Sequence, residues 1–454
     1  MGFVTVKHTP DPTKFEKPQQ TSLHSTTSRT ADASYPSIGN SSRDVNKSNR
    51  LGSPQYLLQH SHNSRQSSQQ SRHEGQQSQN SQSQGTSKAL HESRYIEEAD
   101  LTLDEHQIAE IGEIIAKKRP RYELISSSIT RSTLQLSLDD LITGRVIGLG
   151  GFGMVRKVKS PILKEKTSRP CVIKTCKPSS GPSIVSSVTH LMRERYYLSH
   201  LKHPHIVRMV AASEHQDPVE AILQSKRIDA CFLILEYLPE TLHDRIQSWK
   251  KRRQELAKRE KAVSWNLLRG QHSNRSDTAF SLSSQADNDL FAQQLIVALE
   301  VASALEYLHS QRVIFRDLKP SNVGLDLKGS VKIYDFGLAT QLANRVDLDT
   351  THSLPGRVGT TRYMAPEVLR NEPYNVKADV FSFSLLLWEM MAFERPHENM
   401  PGAAVYGDRP SIPKSWPEQI RSILERGWSE DLSERPHVRD MTKVLLELLQ
   451  QMQP

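Results

Sequence analysis

The run Phe315-Arg316-Asp317-Leu318-Lys319-Pro320-Ser321-Asn322, with Asp335-Phe336-Gly337 a short hairpin later, carries the side chains best suited to chemistry. Asp317 presents a carboxylate that can accept a proton from a hydroxyl group. Asn322 and Asp335 present oxygen atoms of the kind that hold magnesium on a nucleotide. Together these residues would form the core of a phosphoryl-transfer site.

Such a site needs something to hold the phosphates. Gly148-Leu149-Gly150-Gly151-Phe152-Gly153-Met154-Val155 fits a Gly-rich loop between two strands, where Gly148, Gly150 and Gly153 let backbone N–H groups approach phosphate oxygens. Similar triplets also arise as plain turns, so this run decides nothing alone. Lys174 ends an apolar strand downstream, and Glu194 lies on the helix after it. A buried cation and carboxylate so placed can pair and point the amine at phosphates; read singly, they are a surface lysine and a solvated glutamate.

The elements that must position these groups follow from periodicity. Residues 141–159 read as a strand, a glycine turn and a second strand, and Cys171-Val172-Ile173 as a third. Residues 186–200 form an amphipathic helix and 231–235 a buried strand. Residues 291–310 and 376–392 are apolar helices, and the chain from Trp416 onward is helical. A small β-rich lobe followed by a larger helical lobe is implied.

With Thr360-Thr361-Arg362-Tyr363-Met364-Ala365-Pro366-Glu367 after a segment of activation-loop length, the ordered motifs resemble the eukaryotic protein kinase superfamily, over about residues 138–449. Lys319, two positions after Asp317, is similar to the serine/threonine type. Gly359-Thr360, residues 376–389 with Asp379 and Trp388, Gly427-Trp428 and Glu434-Arg435-Pro436 look most like the tyrosine-kinase-like group. The resemblance implies an α+β, two-lobe kinase fold, with a small antiparallel β-rich N-lobe carrying one key helix and a larger helical C-lobe, over residues 138–451. It implies a transferase that moves the γ-phosphoryl group of ATP to protein hydroxyls in signalling.

Carried over by resemblance, Asp317 would orient the acceptor hydroxyl and take its proton, and Lys319 would neutralise charge on the moving phosphoryl group. Asn322 and Asp335 would ligate Mg2+, and Lys174, held by Glu194, would bind the nucleotide's α and β phosphates. Leu235 matches the gatekeeper, Glu236 and Leu238 would offer backbone groups to adenine, and Val155 and Val172 would complete the cofactor-binding set with the glycines. Thr360 resembles the threonine that lines the substrate site, and Glu367 would pair with Arg435. Leu198, Met209, Phe315 and Phe336 resemble the apolar spine between the lobes.

Several positions depart from the family pattern. Phe315 replaces the usual histidine or tyrosine, keeping a ring and losing its polar edge; activity is expected to survive. Val172 stands where alanine is usual above adenine, and Gly324 where leucine or a similar residue is usual beneath it. One change fills space and the other empties it, which predicts an adenine ring seated lower. Arg316 beside Asp317 is typical of kinases whose activation loop is ordered by phosphorylation, with Thr350, Thr351 and Ser353 as candidate acceptors. Residues 394–410 are short for the family, which clips a helix that usually helps to dock substrates.

The rest of the chain sets the context. At 454 residues it could hold two or three average domains, but only 36% of it is apolar. Residues 1–100 form a Ser/Gln-rich tail that cannot bury enough apolar area to offset the entropy of ordering. It reads equally as a spacer or as a regulatory tail with a partner motif. Within a linker, residues 101–135, a helix is predicted over 101–118. Thr102 and Glu105 would make its capping box, Leu103, Ile108, Ile111, Ile114 and Ile115 its apolar stripe, and Lys117, Lys118, Arg119 and Pro120 its end. Packing on the neighbouring lobe is preferred to binding a partner. A basic insertion, residues 243–289, contains Lys250-Lys251-Arg252-Arg253 and Lys258-Arg259-Glu260-Lys261. It is preferred as a solvated helix with a Ser-rich loop over an acidic-partner site or a nuclear import signal.

Three cysteines without metal-ligand spacing suit a reducing compartment, and neither a signal peptide nor a membrane-spanning run is visible. Gly2 fits a myristoylation signal poorly because Val6 stands where Ser or Thr is wanted. These features place the chain in the cytoplasm, with the nucleus as the alternative. The net charge of +8 decides nothing alone. A scaffold with the same fold and no turnover is the rival from another class. Nucleic-acid binding lacks any groove-reading or base-stacking motif.

Overall fold

The structure is a computed structural model, and its described residues are 101–109, 112–113, 133–177, 182–214, 218–268, 276–343 and 347–452. The tail, Ile111, Ile114, Ile115 and the basic end predicted for the linker helix lie outside them.

Six strands build the N-lobe sheet: β1 (Leu134–Leu136), β2 (Ile142–Leu149), β3 (Gly153–Lys159), β4 (Cys171–Cys176), β5 (Met209–Ser213) and β6 (Phe232–Glu236), in the order β1-β5-β6-β4-β3-β2. The central strands β4 and β6 read as near-continuous apolar runs because both of their faces are covered. Their side chains alternate between two cores. Ile173, Phe232 and Ile234 join Leu136, Val158 and Leu163 on one face. Val172, Leu233 and Leu235 join the main core on the other, beneath the helix expected at 186–200. The sheet is not wholly antiparallel as expected, since β1 runs parallel to β5. Leu136, 2% exposed, thereby covers an edge that would otherwise lie open.

Helices α1 (Pro161–Lys166), α2 (Pro182–His200) and α3 (Pro218–Ser225) complete this lobe. The linker packs on it differently from the sequence reading. Thr102 is bridged to Arg227 and stands three residues before the first helical residue, Glu105, so it is not the cap. Asp104 and Gln107 form the reciprocal cap instead: each side chain accepts the other's backbone N–H, at 2.7 and 3.0 Å, and residues 105–109 are helical. Leu101 and Leu103 are buried, and the Leu103 N–H donates to the Lys226 carbonyl at 2.8 Å.

The C-lobe contains α4 (Leu242–Leu268), α5 (Ser276–Ser310), α6 (Pro366–Arg370), α7 (Lys377–Ala392), α8 (Glu418–Gly427) and α9 (Val438–Gln451). Its short strands are β7 (Glu240–Thr241), β8 (Val313–Ile314), β9 (Val323–Leu325), β10 (Val331–Ile333) and β11 (Thr340–Gln341), in the sheets β10-β9-β7 and β11-β8. α7 is apolar around most of its circumference, so it forms the buried axis of the lobe. The stretch read as helical from Trp416 is broken between α8 and α9, where Arg435 turns inward. The Ser-rich part of the insertion is helical from Ser276 rather than a loop. α5 continues alongside α4, with Arg253 and Asp287 paired at 3.2 Å. Among the described residues one stretch, Gln285–Ser310, is long and apolar enough to cross a membrane. Its Leu295, Ala298, Val301, Ala302 and Leu305 are fully buried in the lobe, which accounts for its composition.

Candidate active site

Strand alternation turns Lys174 out of β4 toward the cleft, and α2 presents Glu194 to it. The Lys174 Nζ lies 2.5 Å from Glu194 Oε2 and 3.0 Å from Asp335 Oδ1. Asp335 reaches that position from a left-handed backbone, φ 71° and ψ 67°, at the start of the turn that buries Phe336. Burial alone would lower the proton affinity of Lys174, but the carboxylates of Asp335 and Glu194 raise it, so the ammonium persists at neutral pH. Burial would raise Asp335, yet Lys174 holds it below the usual carboxylate range. Glu194, 1% exposed, is shifted upward by burial against the pull of Lys174.

The catalytic-loop residues form a closed set of hydrogen bonds. Lys319 Nζ donates to Asp317 Oδ2 at 2.7 Å, Asn322 Nδ2 to the same oxygen at 2.8 Å, and Thr360 Oγ1 to Asp317 Oδ1 at 2.7 Å. Asn322 Nδ2 also donates to the Asp317 carbonyl at 2.9 Å, so the amide nitrogen is spent on Asp317 and the amide oxygen is the acceptor the side chain has to offer. The loop is anchored from beneath by Asp379 of α7, a fully buried carboxylate that accepts the backbone N–H groups of Phe315 and Arg316, each at 2.8 Å. Gly359, at φ +114°, passes so close that a β-carbon there would lie 2.3 Å from the Arg316 carbonyl oxygen. No other residue would let Thr360 reach Asp317 along this path.

A cleft of about 450 Å³ separates the lobes. Gly148, Gly150, Gly153, Val155, Val172 and Leu235 are on its walls, as are Lys174, Glu194, Glu236, Leu238, Lys319, Asn322 and Asp335. A larger hollow, about 620 Å³, lies beside β5, sharing Val207 and Glu236 with the cleft and lined by none of Lys174, Glu194, Lys319, Asn322 and Asp335. The space expected beneath adenine is not empty. A β-carbon at Gly324 would stand 2.6 Å from Leu238 Cδ1 and 3.2 Å from Tyr334 Cε1, so those side chains already occupy the volume that glycine gives up. The volume on which a lowered adenine ring was expected is thus filled by Leu238 and Tyr334.

Phe315 is fully buried and meets Phe336 edge to face, with centroids 5.1 Å apart, so its ring works by packing. Glu367 and Arg435 form a buried bidentate pair at 2.7 and 2.8 Å. Arg316, expected to await a phosphate, already donates to the Leu338 carbonyl at 2.7 Å and the Tyr374 hydroxyl at 3.2 Å. Thr350, Thr351 and Ser353 are exposed. In the short 394–410 region the 3-10 turn Ala403–Tyr406 stands between α7 and α8. Two neighbours of the site escaped the sequence reading. Phe152, at the tip of the Gly-rich loop, and His190, one helical turn before Glu194, lie against each other; the i, i+4 spacing of His190 and Glu194 was the signal available.

This geometry has known counterparts. The chain belongs to the protein tyrosine and serine/threonine kinase family, whose family model matches residues 141–445. It is 37% identical over 158 residues to the serine/threonine-protein kinase STY46 of Arabidopsis thaliana, covering 34% of this chain and 26% of that one. It is 37% identical over 158 residues to the serine/threonine/tyrosine-protein kinase HT1 of the same plant, covering 33% of this chain and 39% of that one. A longer match, 30% identical over 303 residues, is to the cAMP-dependent protein kinase type 3 of Saccharomyces cerevisiae, covering 66% and 61%. Against the first relative the chain spans about a quarter of the curated protein's length.

Proposed function

We propose that the chain is an ATP-dependent serine/threonine protein kinase in signalling, with protein hydroxyls as acceptors. The carrying observation is the Asp317 carboxylate, held within 2.8 Å by Thr360 and by Lys319 and Asn322, two residues of the cleft wall on which Lys174 is paired with both Glu194 and Asp335. In this reading the acceptor oxygen forms a bond to the γ-phosphorus as the bond to the ADP oxygen breaks, and the hydroxyl proton passes to Asp317. Lys319 offsets charge on the moving group, and Lys174 orients the other phosphates. The amide oxygen of Asn322 and the carboxylate of Asp335, both residues of the cleft wall, fit Mg2+, a hard cation usually held by one or two protein oxygens together with phosphates. When bound, it would neutralise phosphate charge; Asp335 would keep its anionic form for this because Lys174 depresses its proton affinity.

The names of the relatives favour serine and threonine acceptors, while one that includes tyrosine motivates a direct check. Phosphoamino-acid analysis after incubation with ATP, Mg2+ and a generic basic protein should give phosphoserine or phosphothreonine; phosphotyrosine alone would overturn the assignment. A regulatory partner for the tail or linker, and a cytoplasmic or nuclear location, are proposed from composition.

A further inference from the structure

We propose that Phe152 and His190 form a latch tying the Gly-rich loop to α2, so that closing the loop over the nucleotide and holding the Lys174–Glu194–Asp335 arrangement are one event. The two rings are stacked, with centroids 3.7 Å apart and planes 12° apart. One helical turn separates His190 from Glu194, which sends both side chains from α2 toward the cleft, and both are on its wall. The imidazole also abuts the turn that carries Asp335: a β-carbon at Gly337 would lie 2.8 Å from its Nδ1. Arg193, from the same helix, donates to the Gly337 carbonyl at 2.8 Å. His190 thus touches both the loop tip and the turn bearing a phosphate-site carboxylate.

The stack is one of neutral rings. Burial and the neighbouring Arg193 push the proton affinity of His190 down to about 4, with Lys174 and Arg316 acting the same way and Asp335 opposing. Phe152 is 40% exposed, so the fold does not depend on burying it, and among the described residues its ring stacks on His190. Both residues are positioning residues, acting on the nucleotide through the loop.

ADP affinity, measured by calorimetry on the full chain, tests the latch without requiring turnover, so a failure of phosphoryl transfer would leave this result interpretable. Phe152→Ala and His190→Ala should each weaken ADP binding about three- to tenfold, the size expected of a stacked aromatic pair. The double variant should be no weaker than the worse single one, and His190→Phe, which restores a ring, should recover most of the loss. In turnover, KM for ATP should rise more than kcat falls. Additive single effects, or no recovery by His190→Phe, would overturn the latch. Tighter ADP binding by Phe152→Ala would also overturn it, by showing that the stack obstructs the site.

Discussion

At the scale of single residues, volume and the position of protons shape the site. At Gly324, Leu238 and Tyr334 fill the space a side chain would need. Gly324→Ala should therefore destabilise the fold by about 1–3 kcal/mol in urea unfolding, the usual cost of overpacking. Leu238→Ala should recover part of that loss and Val172→Ala none of it; recovery by Val172→Ala would restore the idea of compensating changes above and below adenine. That substitution pattern was half legible in the sequence. The missing side chain at Gly324 could be read, but its tenant, Leu238, arrives from a segment far away in the chain, and no local pattern announces such a contact. His190 was missed for a related reason. A histidine on a helix has many uses, and only the fold shows an aromatic ring lying on it.

At the scale of elements, the activation segment is held by a carboxylate of its own. Asp349 Oδ1 pairs with Lys377 Nζ at 2.8 Å, its carbonyl accepts from Asn375 Nδ2 at 2.8 Å, and His352 exchanges backbone hydrogen bonds with Tyr374. Lys377 lowers the proton affinity of Asp349 and keeps it anionic. With Arg316 already engaged, the segment has an ordering device that needs no phosphate. Alanine at Thr350, Thr351 and Ser353 together should retain most activity, whereas Asp349→Ala should lower kcat/KM for a protein substrate by about tenfold. The reverse ranking in a steady-state assay would return regulation to phosphorylation.

A second element-scale device lies between α7 and the Thr361–Tyr363 turn, where the Tyr363 hydroxyl donates to Glu389 at 2.6 Å. Burial raises the Glu389 carboxyl to about 7. The folded state therefore binds this proton more tightly than the unfolded chain, so its contribution is complete below the unfolded carboxyl pKa and is lost as pH rises toward 7 and beyond. Glu389→Gln should flatten the fall in stability across that window, a difference of about 3 kcal/mol. An unchanged pH profile in urea melts would show that Glu389 is not the titrating group.

At the scale of the whole molecule, the order of motifs was legible because each is a local run: the glycines, the catalytic loop, the Asp335 turn and Glu367 could be read in sequence. Most strands and helices were legible too, since β4 and β6 are apolar runs and α7 is apolar nearly all round. What could not be read was pairing at a distance. β1 joins the sheet in parallel beside β5, Thr102 bridges to Arg227 instead of capping, and α5 begins fifteen residues before the apolar stretch at Phe291 because α4 runs alongside it. These pairings leave intact the Lys174–Glu194–Asp335 cluster and the Asp317–Lys319–Asn322–Thr360 cluster. The most direct measurement is transfer of labelled phosphate from ATP to a generic basic protein by the wild-type chain and by Asp317→Asn. The account predicts incorporation by the wild type and its loss, by about a thousandfold or more, in the variant. A folded wild-type chain that binds ADP yet transfers no more label than Asp317→Asn would contradict it and make the protein a scaffold.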